Sequence, residues 1–438
     1  MDMAELGRRI REERKRQFLK QGDLSGDEFS KGYISLIEKG KISPSLKALN
    51  FIAQKLNKPV VYFLDEDYVE KEELKKELSK YKNILEKFLN AQRAFDSKNY
   101  EEAIKLYLDI LNNAIDEYSS NLIKFYLAKS YLVIKDYQKV LEILDKISSY
   151  FEKNSFNETM VEIHYMKGLS LGNLQKFQSS LENYLRALDG FEKYSLRNTE
   201  LKSRILFSIA SLYSKMGEFI KARDYYIKCL EYSTQIKAVD FIALSNNGLG
   251  LVNYELKQYK DALKYIRRAI LISKTLNLKE DIANEYNYLG FVYTDLKKYD
   301  IAEKYFLKSY SLYKDLDDKK GMAYNLTEIG RIYYLKEDYQ KALEYLNESL
   351  EIVKEINEQE EIGRIYTILG NLHLKQGQFE LSEKELLKSV EILKNLGLKK
   401  DLSEAYKGLG NLYIALNNTE EAKKYFNQSI ELLYENLA

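Results

Sequence analysis

The 438-residue chain is 45% hydrophobic and 31% charged, with two prolines, no tryptophan and 38 tyrosines, a balance that suits packed helices and excludes proline-rich linkers and a disordered polyelectrolyte. One cysteine, Cys229, excludes an internal disulfide, and the start MDMAELGRRIREERKR is charged where a signal peptide needs an apolar run. No window approaches the roughly 18 consecutive apolar residues of a membrane helix, so an all-α cytoplasmic protein without membrane contact is expected. Net charge is +1, but it is unevenly spread: Met1 to Leu64 holds 13 Lys and Arg against 8 Asp and Glu, which makes that end the candidate contact for a polyanion.

In chain order, Ala4 to Arg16 reads as a helix with Leu6 and Ile10 inward, and Gln21 to Ser25 as a short second helix closed by a turn at Gly26-Asp27. Ser30 to Gly40 puts Ile34 and Ile37 on one face and Lys31, Gly32 and Ser35 on the other, and Gly40 ends the helix. Ser43-Pro44 then supplies an N-cap followed by proline at the first helical position, opening a helix that buries Leu46, Leu49, Ile52 and Leu56. Five short helices are expected within about 64 residues. The run YISLIEKGKISPSL, Tyr33 to Leu46, resembles the recognition helix and following turn of the XRE (phage-repressor-like) helix-turn-helix family. That resemblance implies a DNA-binding domain over 1–66 whose third helix enters the major groove of double-stranded DNA. Carried over by position, Ser30, Lys31, Gly32, Tyr33 and Ser35 approach bases or adjacent phosphates, and Leu36 meets a thymine methyl. Gln21, Lys39, Lys41 and Ser43 contact the phosphate backbone. Glu38 pairs inward with Arg14. From Leu24 to Ser30 the chain is one residue shorter than the family pattern, which tightens the turn.

The charged stretch EDYVEKEELKKELSKYKNILEKF carries Leu74, Leu78, Tyr81 and Leu85 at helical spacing and is read as a linker helix over 67–86. Beyond it, a period is plain. Gly250, Gly290, Gly330, Gly370 and Gly410 stand forty apart, each after Leu or Ile. Nine residues on come Tyr259, Tyr299, Tyr339 and Phe379, and three later Ala262, Ala302 and Ala342, with Ala422 in the last unit. Looser copies occur at Ala210/Phe219/Ala222, Gly168/Phe177, Ala128/Tyr137 and Ala91/Tyr100/Ala103, giving about nine units. Two antiparallel helices approach closely only where one offers a small residue, and no hairpin buries its face alone, so the units must stack. The pattern, with Tyr293, Tyr333 and Tyr413 three after the glycine, resembles the tetratricopeptide repeat, although its unit exceeds the usual ~34 residues. Longer helices, or connections such as Leu276 to Asp281, could absorb the difference. The expected fold is thus all-α: a five-helix helix-turn-helix domain, a linker helix and, over 87–438, a right-handed superhelix of about nine hairpins.

In such a superhelix the first-helix positions six before, three before, one after and four after each small residue face the concave side. They give Arg204, Phe207, Ser211 and Ser214; Asn247, Leu251 and Tyr254; Asn284, Asn287, Phe291 and Thr294; Tyr324, Thr327, Arg331 and Tyr334; and Arg364, Thr367, Asn371 and Leu374. Asn247, Asn284 and Asn287 could hold a peptide backbone through donor and acceptor together, and Arg331 or Arg364 a terminal carboxylate. The alternative is a solvated, unused groove. No catalytic, metal or cofactor site is expected: the two histidines, His164 and His373, sit on distant first helices as packing residues, and Cys229 is read as core.

A helix-turn-helix domain joined to hairpins of this length is similar to the RRNPP group of peptide-pheromone regulators. The resemblance implies a quorum-sensing transcription regulator, a homodimer that binds DNA and a short signalling peptide. The competing reading is an interaction scaffold that docks a protein partner, for example a response regulator, with DNA binding secondary.

Overall fold

The computed structural model describes residues 3–26, 28–58, 60, 63, 71–112, 116–196 and 199–434. Asp27, the boundary at residue 66 and the side chains of Leu74, Leu78 and Tyr81 lie outside what is described. Among the described residues every regular element is helical. The chain forms two compact units, Met1–Gly217 and Glu218–Ala438.

The first unit begins with α1 (Met3–Arg16), a single 3₁₀ turn (Gln21–Leu24), α2 (Lys31–Glu38) and α3 (Leu46–Lys55). The expected second helix is therefore one tight turn, flanked by extended backbone at Lys20 and Ser25. Ser30 caps α2 by accepting the Tyr33 amide at 3.2 Å, and Gly40 stops it at a φ of +65°. The cap of α3 is Ser45, which accepts the Ala48 amide at 3.2 Å. The assignment of Ser43-Pro44 as cap and first helical residue is thus corrected by two positions, because a second serine lies nearer the first turn. Of the expected inward residues, Leu6, Ile10, Ile34, Ile37, Leu49, Ile52 and Leu56 are buried. Leu46 stays half-buried. Arg14 forms a bidentate ion pair with the buried Glu38, Nε–Oε1 at 2.5 Å and Nη2–Oε2 at 2.9 Å.

α4 (Lys71–Asp96) is one helix of 26 residues. It runs on from the expected linker into the first hairpin, completed by α5 (Tyr100–Leu111). Then follow α6 (Glu117–Val133), α7 (Tyr137–Lys153), α8 (Asn157–Asn173), α9 (Phe177–Lys193) and α10 (Thr199–Lys215). The second unit opens with α11 (Phe219–Gln235) and holds five hairpins: α12 (Val239–Glu255) with α13 (Tyr259–Thr275), α14 (Lys279–Asp295) with α15 (Tyr299–Asp315), α16 (Lys319–Leu335) with α17 (Tyr339–Glu355), α18 (Gln359–Lys375) with α19 (Phe379–Leu396), and α20 (Lys399–Ala415) with α21 (Thr419–Tyr434).

The long period resides in the helices. Each of α11 to α18 has 17 residues, and consecutive helices are joined by three-residue links. The connection after α13 is Leu276 to Leu278, no longer than the others, so it does not absorb the extra residues. Each link has its middle residue in the left-handed region: Lys237, Lys257, Asn277, Lys297, Asp317, Glu337 and Asn357, with φ of 54–62°. The strain is offset by capping, as where Lys257 N–H donates to Tyr254 O (2.9 Å) and Gln258 N–H to Asn253 O (2.8 Å). Inside a hairpin each period glycine faces the side chain sixteen residues on. A Cβ would lie 2.5 Å from Phe306 at Gly290, 2.7 Å from Leu346 at Gly330 and 2.5 Å from Leu386 at Gly370. Tyr293 stacks on Tyr305 (centroids 5.6 Å), Tyr333 on Tyr345 (5.5 Å) and Tyr413 on Tyr425 (5.5 Å), repeating one contact in three of the five hairpins.

Candidate functional site

Of the residues expected at DNA, Lys31, Lys39 and Lys41 are exposed, while Ser30, Gly32, Ser35, Leu36 and Ser43 are half-buried. Two assignments are corrected. Gln21 turns inward, its amide donating to Glu38 Oε2 at 2.7 Å, because a buried carboxylate must fill its acceptor sites and Arg14 alone does not. Tyr33 is fully buried and reaches neither base nor phosphate. Its ring stacks on Phe29 (5.5 Å) and on Tyr118 of α6 (4.1 Å), and Phe156 stands 6.3 Å away. Burial also lifts its hydroxyl far above the ordinary tyrosine range.

That stack is part of a seam between the N-terminal helices and the early hairpins, which share one apolar core running from Leu6, Ile34 and Ile52 to Tyr118, Phe125 and Phe151. At the first turn of α2, a methyl on Gly32 would lie 3.7 Å from the carbonyl oxygen of Asn154, in the α7–α8 link. A major groove about 12 Å wide admits one helix, so this contact narrows the room for a duplex beside the first turn of α2. The contact covers the first turn of α2 and leaves Lys31, Lys39 and Lys41 exposed.

In the second unit, four first helices bring part of the expected ligand set together. Tyr254 of α12 meets Phe291 of α14 (6.4 Å), Phe291 meets Tyr324 of α16 edge-on (6.2 Å), and the Arg364 guanidinium of α18 lies over the Tyr324 ring at 5.0 Å. Arg364 clasps Glu361 (2.8 Å) and Glu328 (2.9 Å) and faces Asp401 of α20 (3.7 Å). Arg331 bonds the other oxygen of Glu328 at 2.7 Å and keeps 37% of its side chain exposed. Tyr334 is half-buried beside Tyr339. Burial works against the Glu328 charge, but Arg331 and Arg364 together outweigh it and hold its carboxyl below the usual range. At Glu361 burial prevails over Arg364 and the carboxyl is pushed up. Glu328 raises Arg331 despite burial, and Glu361 and Glu328 raise Arg364 despite theirs. The two arginines are thus already neutralised from within, which corrects their reading as open hooks for a ligand carboxylate. Glu328 and Glu361 were missed by sequence reasoning, though each lies three residues before its arginine, on one helical face.

Other expected contacts point elsewhere. Thr327 and Thr367 are buried inside their hairpins, bonded to Ser349 (3.0 Å) and Ser389 (2.7 Å) of the second helices. Asn287 is also buried. Asn284 is half-buried, its Oδ1 accepting from the Tyr313 hydroxyl at 2.8 Å, which fixes the orientation of the amide. Three of these positions, each three before its glycine, are thus turned into the protein, whereas Lys407 three before Gly410 is exposed. Asn247 and Asn371 are half-buried, the latter against Gly408. Arg204 and Phe207 belong to the first unit, where Arg204 is exposed and paired with Glu200.

Tetratricopeptide-repeat models match residues 281–355, 361–435 and 203–235. Together with the helix order, this makes the fold all-α with tetratricopeptide-like hairpins. Among curated proteins the chain is similar to the transcriptional activator NprA of Geobacillus stearothermophilus, 24% identical over 200 residues, 45% of each chain. Matches to curated relatives span under half of those proteins' length. Among solved structures it is similar to the apo form of RapI (TM-score 0.64, 14% identity, 80% of this chain and 98% of that one). It is also similar to the apo quorum sensor NprR from B. thuringiensis (TM-score 0.61, 21% identity, 81% and 99%). Among the described residues no helix is long and apolar enough to cross a membrane.

Proposed function

We propose that the chain is a ligand-responsive transcription regulator, in which the file Tyr254, Phe291, Tyr324 and Arg364 receives a short peptide and α2 reads double-stranded DNA as part of a homodimer. The observation that carries the peptide assignment is the continuity of that file over successive first helices, ending in a clasp whose arginines are already paired with carboxylates. Aromatic faces suit apolar peptide side chains, and an already paired clasp favours hydrogen bonds to peptide amides over a strong charge preference. The DNA assignment is supported by the exposed Lys31, Lys39 and Lys41 around a capped α2 and by likeness to a protein named as a transcriptional activator. In this reading the seam at Gly32 and Tyr33 opens when α2 engages DNA, because the first turn of α2 meets the α7–α8 link. The same seam gives specific support to the second reading, a scaffold that docks a protein partner while α2 stays covered. Panning a random short-peptide library on the full chain, then re-measuring hits on Tyr324→Ala, tests the peptide site. Enriched peptides that lose at least tenfold affinity in the variant support it; hits indifferent to Tyr324 place the ligand elsewhere.

A further inference from the structure

Five residues before the period glycines of the second unit stand Ser245, Glu285, Asn325, Ile365 and Ala405, and all five are buried. Glu285 of α14 meets Ser273 of α13, and Asn325 of α16 meets Ser309 of α15, so this position lies in the joint between consecutive hairpins. Of the five, Glu285 alone can carry a charge. Its Oε1 accepts from the Ser273 hydroxyl at 2.9 Å, and its Oε2 has no partner among the described residues. The cations nearby are engaged elsewhere. Lys274 of α13 and Lys308 of α15 lie over the ring of Tyr286, Arg267 of α13 donates to the Tyr293 hydroxyl, and Lys257 in the α12–α13 link pairs with Asp295. Among the described residues no charged group of α12 or α16 acts on Glu285. Burial pushes its carboxyl up to about 7; the Ser273 hydroxyl works against this, and Asp281, one turn earlier on α14, adds to it. Beside it, Ser245 Oγ and Asn246 Oδ1 of α12 and Asn287 Oδ1 of α14 are also buried without partners among the described residues. Polar atoms left unpaired gain hydrogen bonds when water enters, which lowers the cost of opening there. The same joint carries the first step of the aromatic file, Tyr254 of α12 against Phe291 of α14 at 6.4 Å. We propose that the joint between the α12–α13 and α14–α15 hairpins is a proton-operated hinge: it is closed while Glu285 is protonated, and ionisation of Glu285 opens it and parts Tyr254 from Phe291.

The physical cause is solvation. A carboxylate with one hydroxyl donor and no cation is poorly held in a closed apolar joint, and opening gives it water. A carboxyl raised in the closed joint keeps its proton below the ordinary value of 4.5 and yields it to solvent as pH rises through about 7, so the joint is tightest in acid. Hydrogen exchange on the full chain tests the hinge, with α19 and α20, whose joint holds Ala405, as the internal reference that cancels the intrinsic pH dependence of exchange. From about pH 5.5 to about pH 8.5, protection in α13 and α14 should fall at least tenfold relative to that reference. The fall should vanish in Glu285→Gln and in Glu285→Asn, the latter matching what α16 carries at this position. A wild-type ratio that does not move with pH, or a fall that persists in both variants, would overturn the hinge. Its effect on a ligand rests on the reading of the file as a peptide site. A short peptide that binds through Tyr324 should weaken at least fivefold over the same pH range in the wild-type chain and not in Glu285→Gln. Affinity indifferent to pH while the joint opens would overturn the coupling to the file. If the joint opens but no peptide depends on Tyr324, the hinge stands and only the peptide reading falls.

Discussion

The second unit and the N-terminal segment are stabilised in contrasting ways. From α12 to α21 one contact recurs every forty residues: a glycine against the side chain sixteen later, and in three of the hairpins a tyrosine pair stacked at nearly the same distance. In the N-terminal segment nothing repeats; α1 and α2 are pinned by the ion pair of Arg14 with Glu38, joined by Gln21, α1 is tied to the end of α3 by Gln17 donating to Leu56 O (2.7 Å), and all three share a core with the early hairpins. A repeat array spreads the damage of one bad contact over neighbours, whereas a single polar pin has no substitute.

The contrast is broken most severely at the pin. Arg14→Ala leaves the buried Glu38 with Gln21 but without a cation and should cost about 3–5 kcal/mol, seen as lost hydrogen-exchange protection in α1 to α3 with the second unit unaffected. Next comes Glu285, whose carboxyl burial raises to about 7 and whose Oε1 accepts from Ser273 at 2.9 Å. A raised carboxyl means the folded chain holds a proton that the unfolded chain releases, so stability is greatest below the ordinary value of 4.5 and falls as pH rises toward 7. The loss should reach roughly 3 kcal/mol across that window. Thermal melts from pH 4 to 8 should show this slope in the second unit and its disappearance in Glu285→Gln. A repeat contact is milder: Gly330→Ala pushes a methyl into Leu346 and should destabilise by about 1–3 kcal/mol, read as a local loss of protection in α16 and α17. The smallest change runs the other way. Lys297→Gly relieves a φ of 57° and should stabilise by about 0.5 kcal/mol in urea titrations, after the entropy of glycine is subtracted.

Much of this was legible in the residues. The glycine period defined the hairpins, Ser30 and Gly40 bounded α2, and Glu38 could be paired with Arg14 in advance. What escaped depends on distance in sequence. Nothing near Tyr33 announces that Tyr118 will cover it, and nothing near Arg364 shows that Glu328, in the previous hairpin, will take its charge. Thr327 and Thr367 were misplaced for a local reason: each turns toward the second helix, where Ser349 and Ser389 offer a buried partner. The left-handed link residues, twenty apart, left little sequence signal because lysine, asparagine, aspartate and glutamate all occupy them.

The central claim is that α2 reads DNA once freed from the seam, and footprinting of genomic DNA by the purified chain beside Lys31→Ala/Ser35→Ala tests it most directly. The account predicts a palindromic site with half-sites about one helical turn apart, lost in the variant. Equally weak binding by both proteins, steeply salt-dependent and without a preferred site, would contradict it and leave the protein-docking scaffold as the standing explanation.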